Sequence, residues 1–228
     1  MKSIKREKEM ARSFATNTKI TYNPASFPMS DWPTTLHMWA KRSGTGTATA
    51  LSMHDASQQN TYNIIGKLSS TPVIFGARRD EGAQRSTNGA TALGTGWRNT
   101  IHIIASDTDS ELFMDGSSDA TETANVNYVA GIDQFSVGNL NRLSPISFYD
   151  GDLAHAAVWK VVLSDDNIRS VARGVNPLVV DTDNLVFYSP INGNEAPEPE
   201  YINQDDGGVT NSPAKVAGPP VELVENYL

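Results

Sequence analysis

The chain has 228 residues, 39% hydrophobic and 19% charged, enough to bury a substantial core and too apolar for a disordered chain. Eighteen Lys and Arg against twenty-six Asp and Glu leave a net charge of −8, which argues against nucleic-acid binding. Cysteine is absent, so disulfides, thiolate metal sites and cysteine nucleophiles are excluded. No apolar stretch approaches the roughly 18 residues of a membrane span. The basic opening is not followed by the apolar run of a secretory signal. The expectation is therefore a soluble product made in the cytoplasm.

Charge is distributed unevenly. Residues 1–12 carry Lys2, Lys5, Arg6, Lys8 and Arg12 against two glutamates, while residues 195–228 carry seven acidic residues against Lys215. The tail also holds five of the twelve prolines, which rules out regular helix or a central strand. These ends read either as solvated termini or as extended arms that dock on neighbouring subunits. Met10 is an alternative start, which would remove most of the basic arm. The expected organisation is a basic arm over 1–12, a single body over 13–194, and an acidic, proline-rich tail over 195–228 packing on the body or a neighbour.

The body reads as β-strand nearly throughout. In Thr34–Lys41, Leu36, Met38 and Ala40 alternate with Thr35, His37 and Trp39, the period of a strand. Further runs are predicted at 47–53, 62–68, 72–77, 100–105, 111–114, 134–137, 152–162 and 184–189, separated by Gly, Asn, Asp and Ser clusters. Asp115-Gly116 after Glu-Leu-Phe-Met is a hairpin signal, because a tight turn needs positive φ. One short helix is predicted near 165–173. Ser164 caps it, Asp165 and Asp166 face its positive end, and Gly174 and Pro177 stop it. Many short strands and one helix define an all-β sandwich or barrel.

Several segments resemble laminin-G-like domains of the concanavalin A-like lectin/glucanase superfamily. Trp97-Arg-Asn-Thr-Ile-His-Ile-Ile-Ala with Glu111-Leu-Phe-Met-Asp-Gly116 is similar to their central strand pair, and Phe135-Ser-Val-Gly138 to the next strand. Tyr149-Asp-Gly-Asp-Leu-Ala-His-Ala-Ala-Val-Trp159 and Leu163-Ser-Asp-Asp-Asn-Ile168 resemble the last strand and helix. Met10–Phe14, Asp183–Gly193 and Gly218–Val221 resemble the ends of stand-alone members in bacteria and tailed phages. The resemblance implies a two-sheet antiparallel jelly roll over roughly residues 10–221. His155 stands where an acidic residue is common, and residues 54–96 follow no family pattern. Alternation in the strand at 152–162 puts Leu153, His155, Ala157 and Trp159 on one face, with His155 a hydrogen-bonded core residue.

Catalytic constellations are not found. Glycosidases on this fold use a Glu-x-Asp-x-x-Glu-type strand, where alternate residues put two carboxylates on one face, and no such spacing occurs. The nearest run, Asp107-x-Asp109-x-Glu111, reads as a solvated turn before the hairpin. No Gly-x-Ser-x-Gly elbow occurs, and His37, His54, His102 and His155 lack paired metal spacing. The chain is expected not to be an enzyme and to need no cofactor. Calcium is the one candidate metal, at Asp115, Asp150 and Asp152. Arg78 and Arg79 with Trp97 are candidate ligand-binding residues, a glycan needing polar groups and an aromatic platform. The leading expectation is a phage virion protein of the capsid-decoration kind on the particle surface, partnered by protein subunits in a homo-oligomer or capsid lattice. The alternative is a carbohydrate- or receptor-binding module.

Overall fold

The structure, a computed structural model, describes residues 10–29, 31–69, 73–127, 131–192, 197–204 and 206–219. Among these, fifteen strands form two antiparallel sheets. Sheet A contains β1 (Met10–Phe14), β3 (Thr34–Arg42), β8 (Trp97–Ser106), β9 (Asp109–Met114), β10 (Ser117–Glu122), β12 (Gly151–Trp159), β13 (Leu185–Ser189) and β15 (Ala214–Ala217). Its order is β10-β9-β8-β3-β12-β1-β15, with β13 also on β12. Sheet B contains β2 (Lys19–Tyr22), β4 (Ala48–His54), β5 (Thr61–Lys67), β6 (Val73–Asp80), β7 (Ala83–Ala92), β11 (Gln134–Val137) and β14 (Gly208–Thr210), in the order β14-β2-β11-β4-β5-β6-β7. This is the expected all-β sandwich. The helix α1 (Asp165–Ala172) starts at Ser164, whose hydroxyl accepts from Asn167 N–H.

Two apolar clusters set the layers. Between the sheets, Leu36, Met38, Leu51, Phe135, Val158 and Phe187 meet in the main core, with Phe135 and Phe187 stacked at 4.5 Å. On the outside of sheet A, Ile168 and Val171 of α1 pack over Ile101, Ile103, Phe113 and Trp159. Trp159 is fully buried there and donates Nε1–H to Val180 O at 2.8 Å. A helix needs such a surface, because eight residues are too few to be stable alone.

Plain alternation fails in one strand. His155 has φ +53°, and the register between β12 and β3 slips between Ala154 and Ala157. This bulge reverses side-chain parity. Leu153 therefore points into the main core with Ala156 and Val158, while Ala157 and Trp159 lie under the helix. The predicted grouping of Leu153 with Ala157 and Trp159 is corrected accordingly. His155 is buried, with Nδ1 3.0 Å from the Tyr188 hydroxyl.

The ends of the described chain are strands rather than arms. β1 pairs with β15, and β2 pairs with β14, so the first and last segments cross together from one sheet to the other. Arg12, expected in a solvated arm, is buried in β1 and bonds Glu198 Oε2 through Nε at 2.5 Å. Lys2, Lys5, Arg6 and Lys8 lie outside the described residues. No helix among the described residues is long and apolar enough to cross a membrane.

Candidate functional site

A sandwich offers two outer faces for binding. On sheet B the register points Ser52, His54, Tyr62, Ile64, Phe75 and Ala77 outward. The segment 138–147 covers them. Its Leu140 packs on Tyr62, Ile64, Phe75 and Ala77 and bridges to Ile146. Beneath it, His54 Nε2 lies 2.8 Å from Gln134 Oε1, Asn141 Nδ2 donates to the same oxygen at 2.6 Å, and Ser52 donates to Asn139 O at 3.0 Å. Burial holds the His54 pKa down at about 4, against the opposing effect of the Gln134 bond. The chain's own loop covers this part of the face, while Gln84 and Asn88 on β7 stay exposed beside it.

Sheet A is open where α1 stops short of the sheet edge. There a groove of about 390 Å³ runs between the helix and the β9–β10 hairpin. Glu111, Phe113 and Ser118 form the sheet wall, Asp165, Ile168 and Arg169 the helix wall, and Gly116 and Ser117 close one end. A smaller recess of about 110 Å³ extends it past Asp109 toward Val162. Positive φ at Asp115 (51°) and Gly116 (80°) makes the tight hairpin predicted at this pair, and it places Ser117 at the mouth. Beneath it lie Phe113 and Ile168, both buried in the outer core. The rim carries hydroxyls, carboxylates and one guanidinium.

The charges in the groove are partly engaged. Arg169 lies 3.3 Å from Asp166 and 3.8 Å from Asp165, and Ser118 donates to Glu111 Oε1. Glu111 on the sheet and Asp165 on the helix thus line one groove from opposite walls. The Asp165 side chain is 77% exposed, so water solvates it. The run Asp107-x-Asp109-x-Glu111 is not wholly a turn. Asp109 and Glu111 stand on β9 and alternate onto the groove side, whereas Asp107 accepts Trp32 Nε1–H at 2.7 Å.

The candidate residues named from the sequence are dispersed. Arg78 points between the sheets, where its guanidinium donates to Ser106 O at 2.5 Å and Ala124 O at 2.9 Å. Arg79 faces outward on sheet B, opposite Tyr62. Trp97 lies half-buried on sheet A with Trp39, Ala11, Ala154 and Val216. The structure brings neither arginine to the tryptophan. Asp115 is bonded to Arg98 at 2.6 Å, Asp152 to Lys41 at 2.8 Å, and the Asp150 carboxylate lies against Gly44. Among the described residues no cluster of three His, Asp or Glu with metal-binding geometry occurs. The groove itself was missed. Its sequence signal was the facing pair of acidic runs, 107–111 and 165–166, whose approach only the fold reveals.

The model of the concanavalin A-like lectin/glucanases superfamily matches residues 14–169, over half of the chain, and the chain belongs to that superfamily. Among solved structures, a Bacteroides ovatus protein provisionally assigned to carbohydrate binding superposes with a TM-score of 0.67 at 14% identity. The match covers 96% of this chain and 62% of that protein, so this chain spans less than two thirds of its length. The sialidase CBM40 of Ruminococcus gnavus, bound to α2,3 sialyllactose, gives 0.58 at 15% identity, covering 72% of this chain and 97% of the module. A heptameric SAP-like pentraxin from Limulus polyphemus gives 0.57 at 13% identity, covering 75% and 84%. At these identities the likeness is one of fold. No protein of curated function matches.

Proposed function

We propose that this chain is a non-catalytic saccharide-binding module whose site is the groove between α1 and the β9–β10 hairpin. The observation that carries the reading is the rim of that groove, where the Ser117 and Ser118 hydroxyls, the Glu111 and Asp165 carboxylates and the Arg169 guanidinium line one opening beside the edge of Phe113. Sugar hydroxyls exchange hydrogen bonds with such groups. The carbohydrate-binding fold neighbours support it.

Catalysis is disfavoured by the surroundings of the two facing carboxylates. A glycosidase needs one carboxyl group held protonated by burial. Asp165 is instead 77% exposed, and the Glu111 carboxylate is already bonded by Ser118.

A virion-decoration role was motivated by extended ends of opposite charge. Of those ends, Arg12 and Glu198 pair within the molecule, and Lys2, Lys5, Arg6 and Lys8 lie outside the described residues. Glycan contact is the reading that the geometry favours.

The test is a glycan array probed with the full chain and with Ser117→Trp, which fills the mouth of the groove. Binding to at least one glycan class, lost in the variant, is the expected result. An array with no bound glycan, or binding indifferent to Ser117→Trp, overturns the proposal.

A further inference from the structure

Resting on that reading, we infer that the groove selects saccharides bearing a free amino group and rejects those bearing a carboxylate. Carboxylates dominate its lining, with Glu111 on the sheet wall, Asp165 on the helix wall and Asp109 in the adjoining recess. Arg169 is the only cation lining the groove among the described residues, and Asp165 and Asp166 already flank it. An acidic sugar entering here meets net negative charge with no uncommitted guanidinium to receive it.

The start of α1 does not reverse this balance. A helix N-terminus attracts anions through its unsatisfied N–H groups. Here Ser164 Oγ takes Asn167 N–H, and Asp165 and Asp166 supply two negative charges to the same turn. The positive end is met from within the chain.

An ammonium group on a sugar ring fits what remains. Its ring lies beside the edge of Phe113, and its N–H donors face acceptor-only carboxylates. The whole chain, at −8, adds a weaker field of the same sign. The inference thus separates this module from its fold neighbour bound to sialyllactose, whose ligand carries a carboxylate.

The experiment uses the full chain in two matched pairs, chitosan against chitin oligosaccharides and lactose against sialyllactose. Binding is read by titration calorimetry at 50 and 300 mM salt, with backbone NMR shifts at Ser117, Ser118 and Arg169 locating the site. The free amine is expected to tighten binding about tenfold at low salt, an advantage that shrinks at high salt because partly exposed charges are screened. Sialylation is expected to weaken binding by a similar factor. Glu111→Gln with Asp165→Asn should narrow both gaps. Equal or tighter binding of sialyllactose, with shifts in the groove, overturns the charge selectivity and leaves the saccharide site standing. Shifts elsewhere, or no binding of any of the four, overturn both.

Discussion

Cutting the buried link between the two ends of the chain tests the fold where it departs most from the sequence reading. Arg12 and Glu198 are 186 positions apart, and their side chains are 7% and 0% exposed. Arg12 also donates to Pro213 O at 3.2 Å, so one guanidinium ties β1 to both flanks of the returning tail. Replacing Arg12 with Met takes the cation from beside a fully buried carboxylate, a change that costs about 3–5 kcal/mol in such pairs. With a urea m-value of about 2 kcal/mol/M, the unfolding midpoint should fall by about 1.5–2.5 M. Glu198→Leu should act similarly. The double variant should recover much of the loss, because two apolar side chains of similar volume are often as stable as a buried pair. Equilibrium urea unfolding followed by tryptophan fluorescence measures all three, and sedimentation reads the assembly state. Single variants within about 0.5 kcal/mol of the parent, with altered assembly, would refute the internal link and restore the docking-arm reading.

Three further outcomes follow from the packing. Burial holds His37 at about 3 and His54 and His102 at about 4, below the unfolded value near 6.5. The unfolded chain therefore takes up protons that the folded chain refuses. Stability should be complete above pH 6.5 and fall by roughly 1 kcal/mol per pH unit for each histidine toward pH 4. Urea midpoints that are equal at pH 7.5 and 5 would contradict this. Trp159→Phe deprives Val180 O of its buried donor and should cost about 1–3 kcal/mol beyond the lost contacts, read as a lowered midpoint. Leu140→Ala empties the roof over Tyr62 and Phe75 and should cost about 2–5 kcal/mol, with faster amide exchange in β5 and β6.

What the sequence disclosed follows from where the apolar pattern is strong. The nine predicted strands all exist, their boundaries differing by at most three residues, because each carries buried residues on at least one face. The helix was legible through its cap. The missed strands lie at or beside the sheet margins. β7 and β10 are polar edge strands, joined across the sandwich by Asp119 of β10 accepting the Ala90 and Thr91 N–H groups, while Thr87 of β7 meets Ser110 of β9 at 2.8 Å. Such strands need no apolar alternation, so nothing marked them. β14 and β15 were hidden by the neighbouring prolines, although Pro213 falls in the corner between them, where no ladder bond is required. The His155 bulge left no trace in the residue pattern because both faces of β12 are apolar. For the site, sequence separation was the obstacle. Glu111 and Asp165 are 54 positions apart, and a solvated turn explained each run equally well until the helix was placed on the sheet.

The groove is a consequence of how the outer core is closed. From β10 to β12 the face is five strands wide, roughly 19 Å at the usual strand spacing. A helix is about 10 Å across with its side chains, and eight residues span roughly 12 Å. Ile168 and Val171 must sit over Trp159, Ile101, Ile103 and Phe113 to bury them, which fixes α1 toward the middle and leaves β10 and the start of β9 uncovered. The uncovered strip holds the partly apolar wall of the groove, and the first turn of the helix supplies the opposite, acidic wall. Stability and binding therefore share Ile168 and Phe113, which belong to the outer core, but not Glu111. Ile168→Ala should lower the unfolding midpoint and weaken saccharide binding together. Glu111→Gln should shift binding alone, because its carboxylate is half-exposed and bonded only to the exposed Ser118. If both substitutions destabilise equally, the hairpin wall is part of the core and the groove is not a surface free to bind.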